Sequence, residues 1–113
     1  MEIRVAAKVR GLGHHYSDGL EMLSVDVKKV EADGLPYRDG TRIPITLQLG
    51  RESYRAGIRT TARMSTVWIS PDLVDSSGER TKLARVLARH GLQKNQPVFL
   101  YVDDPVVRLT PAS

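Results

Sequence analysis

At 113 residues the chain is the size of one domain with a single modest core. It has no cysteine, which excludes disulfides, thiolate metal sites and cysteine nucleophiles, and no run of eighteen apolar residues, which excludes a membrane-spanning helix. Its net charge of +4 is local: residues 1–50 hold seven Lys/Arg against seven Asp/Glu, residues 51–94 nine against four, and residues 95–113 one against two. A basic segment on an otherwise balanced domain points to a polyanionic partner.

In chain order, MEIRVAAKVRG carries no apolar secretion signal, so a cytoplasmic location is expected. Ile3, Val5, Ala7 and Val9 alternate with Arg4, Ala6 and Lys8, the period of a half-buried strand. Arg10 to Ser17 follows as a polar loop. Its Gly11-Leu12-Gly13 lacks the third glycine of a dinucleotide fingerprint, and His14-His15, with Asp18 and Glu21 nearby, is too mobile a pair to fix a metal ion. No metal or cofactor is expected. Leu23, Val25 and Val27 alternate in a second strand, and Ile43, Ile45, Leu47 and Leu49 in a third.

RESYRAGIRTTARMST, Arg51 to Thr66, places Arg51, Arg55, Arg59 and Arg63 four apart. On a helix the face through Tyr54 takes in Gly57, Ile58, Thr61 and Ala62, a poor apolar stripe. On a strand, Glu52, Tyr54, Ala56, Ile58 and Thr60 separate from Arg51, Ser53, Arg55, Gly57, Arg59 and Thr61, so a strand is expected through Thr60 with its arginines in solvent. Val67 to Ser70 and Pro97 to Val102 are apolar on both faces and are expected as deeply buried strands. Trp68 is placed in the core, although an outward aromatic on a barrel can stack bases.

Leu83, Val86, Leu87 and His90 fall at i, i+3, i+4 and i+7, which predicts one helix over Thr81 to His90, ended by Gly91. Lys82, Arg85 and Arg89 are on its outer side, and Arg80 precedes it. Val106 to Thr110, between Pro105 and Pro111, reads as an edge strand. The expected fold is mainly β: a single domain over 1–113, a small open β-barrel or pseudobarrel of six or seven strands with one or two short helices.

The order of parts over about 52–102 resembles the second half of the B3-type DNA-binding pseudobarrel: a strand, a polar connection, a strand ending Ile69-Ser70, a loop, a helix, then a turn into a strand. The family's Leu-x-x-Gly-Asp-x-Val-x-Phe-like turn stands here as Leu92-Gln93-Lys94-Asn95-Gln96-Pro97-Val98-Phe99, with Asn95 the non-glycine best able to take a left-handed turn. B3-like domains occur in plant transcription factors and as recognition or effector modules of bacterial restriction enzymes. The resemblance implies double-stranded DNA as partner, with a fused or associated nuclease domain, and two loop arms entering the major groove. The first arm would carry Arg10, His14, His15, Tyr16 and Ser17, and the second Arg59, Thr60, Thr61, Arg63 and Ser65. Lys8, Arg55 and the helix's cations would hold phosphate. Arginine pairs bidentately with guanine, and Ser and Thr meet base edges or phosphate.

No nucleophile elbow, phosphate-binding glycine loop or acidic pair with a lysine is present, so a binder rather than an enzyme is expected. The alternative is a protein- or peptide-binding barrel using Val106 to Thr110 as an open edge. A single-strand or RNA binder is disfavoured by the few aromatics.

Overall fold

The computed structural model describes residues 2–112. Nine strands and one helix follow the sequence: β1 (Ile3–His15), β2 (Glu21–Lys28), β3 (Ile43–Leu49), β4 (Glu52–Arg59), β5 (Thr66–Ile69), β6 (Asp72–Val74), β7 (Arg80–Lys82), α1 (Leu83–Arg89), β8 (Pro97–Asp103) and β9 (Val106–Pro111), with a 3-10 turn at Lys29–Glu31. Seven strands close a barrel in the order β3-β9-β8-β1-β2-β5-β4, and β4 pairs back onto β3. The β6–β7 hairpin joins β4 at Arg55↔Val74. No helix among the described residues is long and apolar enough to cross a membrane.

Closure is more complete than the open barrel expected. Val106 to Thr110 is not a free edge: β9 pairs antiparallel with β8 along its length on one side and, through Val106 to Arg108, parallel with β3 on the other. Alternation shows which residues face inward but not which strand lies alongside, so an interior strand and an edge strand of the same pattern look alike. The peptide-binding alternative therefore loses the edge on which it relied.

Register explains the core. Val9, Val25, Ile69 and Ile58 form one inward row across β1, β2, β5 and β4, and each is at most 1% exposed. The helix adds Leu83, Ala84, Val86 and Leu87 and packs on β2 and β7. It starts at Leu83 rather than Thr81 because Arg80–Lys82 is extended and paired to β6, a hairpin of three-residue strands too short to show a period. It ends as expected. Gly91 takes φ +72, Leu92 N–H donates to Leu87 O at 2.9 Å and Gly91 N–H to Ala88 O at 3.1 Å, the paired closure that a left-handed residue allows.

Asn95, at φ +70, is the one non-glycine with positive φ among the described residues. Its N–H donates to Val9 O at 2.7 Å, and Val9 N–H donates to Gln96 O at 3.0 Å, so this turn clips β8 to β1.

Two expected phases are corrected. Pro97 to Val102 is buried on one face only: Val98, Leu100 and Val102 point in, while Phe99 and Tyr101 point out. Trp68 is likewise outside the core, half-buried on the outer face of β5 between inward Val67 and Ile69. Arginine guanidinium groups cover the outward rings of β8, with Arg4 Cζ 4.6 Å from the Phe99 centroid and Arg108 Cζ 4.4 Å from that of Tyr101. Short apolar runs cannot distinguish two-sided burial from a strand whose outer aromatics are shielded by cations.

Candidate nucleic-acid interface

Residues 52–59 are a strand, and the expected separation of faces holds. Tyr54, Ala56 and Ile58 are buried, while Ser53, Arg55 and Arg59 are exposed. The outer row has a gap at Gly57, which a distant residue fills. Arg42, just before β3, lies across Gly57 so closely that a Cβ there would collide with its Nε and Cζ and meet its Cγ at 2.8 Å. Arg55, Arg42 and Arg59 therefore succeed one another along one strand face. A glycine inside a strand often marks the close approach of another group; that was the signal in the sequence, but it did not identify Arg42.

A second row crosses this one. Arg59 pairs with Trp68, Trp68 with Asp26 and Asp26 with Lys8, so these four outward residues stand side by side across β4, β5, β2 and β1. Arg10 is two residues further along β1, opposite buried Ser24. The connection from β4 to β5 is pinned rather than loose. Met64 N–H donates to Thr61 O at 3.1 Å, Lys29 N–H to Ser65 O at 2.8 Å, and Lys29 Nζ to Thr61 O at 2.9 Å. Thr61, Arg63 and Ser65 are exposed on it. Thr60 leaves the candidate set: it is 2% exposed, and its hydroxyl donates to Thr66 O at 2.8 Å.

The first arm is not a loop but the end of a hairpin, because β1 continues to His15, which pairs with Glu21 across an irregularity after Gly11. His14, His15 and Ser17 are exposed at its tip. Tyr16 is held down: Lys82 Nζ lies 4.6 Å from its ring centroid, and burial together with Asp72 and Asp18 raises its hydroxyl pKa. Arg85 pairs with Asp18 beside it. The two arms are not brought together. One stands where Glu21 begins β2 and the other where Lys28, opposite Thr66, ends it, about 24 Å apart along the strand. That is twice the roughly 12 Å width of a major groove.

Ion pairing sorts the cations. Lys82 is paired with Asp72, Arg85 with Asp18, Arg89 and His90 with Glu52, Lys94 with Glu21, Lys29 with Asp39 and Arg108 with Glu2. The helix's cations, expected to hold phosphate, are thus mostly engaged with carboxylates. Hydrogen bonding to His90 and the Arg89 charge hold the Glu52 carboxyl below its usual range. Among the described residues, Lys8, Arg10, Arg42, Arg55, Arg59 and Arg63 have no such partner, and neither do Arg4, Lys28, Arg38, Arg51 and Arg80; the first six are the ones that the two outward rows and the β4–β5 turn bring to one side.

Asp26 is the acid on this face. Burial raises its pKa, opposed by the Ser24 hydroxyl, which donates to Oδ1 at 2.6 Å, and by the Arg10 charge. A raised carboxyl pKa means that the fold disfavours the charged form, so the penalty is full above the folded pKa and fades as pH falls through it. Asp26→Asn keeps the acceptor for Ser24. It is expected to raise the urea midpoint at neutral pH, with the gain shrinking as pH is lowered into the carboxylate range.

Comparison with known protein-family models, characterised proteins and solved structures returns no match. The fold and the charge pattern therefore define the molecule: a closed seven-stranded barrel with an unpaired arginine face. Among the described residues no three of His, Cys, Asp and Glu gather to hold a metal ion.

Proposed function

We propose that the chain is a B3-like, double-stranded DNA-binding domain that lays the Arg55–Arg42–Arg59 row on the phosphate backbone. The observation that carries this reading is the set of arginines without carboxylate partners on one face, next to an exposed turn bearing Arg63, Thr61 and Ser65. Unpaired like charges repel one another, and a polyanion relieves that cost while releasing its own counterions. The turn supplies base readout, and Lys8 and Arg10 extend the phosphate contacts. His14, His15 and Ser17 meet the backbone further along the duplex, because the arms' separation prevents them from sharing one groove width. A nuclease domain, fused or associated, is the partner that the bacterial B3-like setting suggests.

Selection from a randomised duplex pool tests the reading. An enriched motif, bound with an affinity that falls steeply with salt, is the expected result; salt-insensitive binding without enrichment refutes it. Gly57→Ala tests the row itself. The new methyl displaces Arg42 while leaving every charge in place, so duplex affinity is expected to fall about as far as in Arg42→Ala. Equal affinity of Gly57→Ala and wild type would show that the position of Arg42 does not matter.

A further inference from the structure

We infer that Trp68 is the stacking platform for one unpaired nucleobase, with Arg42 and Arg59 holding the adjoining phosphates. This rests on the duplex-binding reading and deepens it by naming what lies at the centre of the interface.

Three observations converge on the ring. First, strand phase turns Trp68 outward, where it lines a depression of about 170 Å³ with Gly40, Thr41, Arg42, Arg59 and Thr61. Second, the other half-buried aromatics each have a cation near the ring: Phe99 has Arg4 at 4.6 Å, Tyr37 has Lys29 at 6.0 Å, Tyr16 has Lys82 at 4.6 Å and Tyr101 has Arg108 at 4.4 Å. Trp68 is the ring type that attracts a cation most strongly, and its cross-strand neighbours are Arg59 on one side and Asp26 on the other, with Arg42 lining the same depression. Even so, among the described residues no cation or ring covers it. Third, Arg42 is drawn away over Gly57 rather than stacked on the indole.

The result is a half-buried indole that lines a surface depression with guanidinium groups at its margin, the combination by which proteins hold an unstacked base and its backbone. Among the described residues the Thr41 and Thr61 side chains have no hydrogen-bond partner, so they can meet the base edge. A paired base cannot reach the ring without leaving its stack, so the site selects a base that is already unpaired or readily extruded.

Trp68 is the only tryptophan, so its emission reports on this site alone. Two end-labelled probes separate binding from stacking: a fully paired duplex and the same duplex with one extra unpaired nucleotide. Label anisotropy measures binding, and tryptophan emission measures stacking. The bulged duplex is expected to bind about 5- to 100-fold tighter and to quench Trp68. Trp68→Leu should abolish the preference while still binding the paired duplex, and Trp68→Phe should keep part of it. If anisotropy shows equal binding of both probes and emission does not change in the wild-type protein, the stacking role is overturned and duplex binding stands. If neither probe binds, the duplex reading itself fails.

Discussion

Alanine at Arg59 or Arg63 is expected to weaken binding to the preferred duplex by about 1–3 kcal/mol, and the two residues should differ in how that loss depends on sequence. Arg59 belongs to the outer row of β4 with Arg55 and Arg42, so its loss should be nearly equal on preferred and random DNA and should flatten the salt slope by about one. Arg63 stands exposed on the turn between β4 and β5, and its loss should be concentrated on the preferred site. Removing Arg42, Arg55 and Arg59 together should flatten the slope by about three. Arg85→Ala is the control, because Arg85 is already paired with Asp18. Fluorescence anisotropy across a salt series measures all of these. A loss for Arg85→Ala as large as that for Arg59→Ala would show that binding follows net charge rather than this face.

Leu100→Ala is expected to cost about 2–5 kcal/mol of stability, a large share of the roughly 5–15 kcal/mol that holds a domain of this kind together. Leu100 is 0% exposed, and its register partners Val5 and Leu109 are buried with it. A closed barrel holds both neighbouring strands in place, so the wall cannot collapse into the cavity. Urea denaturation should show a lower midpoint with an unchanged slope. Phe99→Ala, one residue earlier but outward, should cost much less because its ring is shielded by Arg4 rather than packed in the core. Similar costs at the two positions would contradict the inward–outward phase of β8.

Much of this was legible in local chemistry. A two-residue period places Tyr54, Ala56 and Ile58 inside and Arg55 and Arg59 outside, because a pleat alternates its side chains whatever strand lies beside it. The helical spacing of Leu83, Val86 and Leu87, the glycine at 91 and the left-handed asparagine at 95 are likewise local, as each depends on its own backbone or on neighbours one turn away. The β6–β7 hairpin was not legible, since three residues are too few to show alternation.

By itself, then, the sequence determined a mainly β single domain, the inward and outward phase of its alternating strands, one helix with its end, and an excess of arginine in the middle of the chain. Only the tertiary structure decided that β9 closes the ring instead of ending it, that Trp68 lies half-buried on the outer face, that Arg42 fills the gap over Gly57, and that the helix's cations are mostly paired while the β4 arginines are not. It also decided that the two expected arms stand at opposite ends of β2. These outcomes depend on which distant segments become neighbours, because pairing, ion contacts and shielding act across space, whereas periodicity records only the direction in which each side chain leaves its own strand.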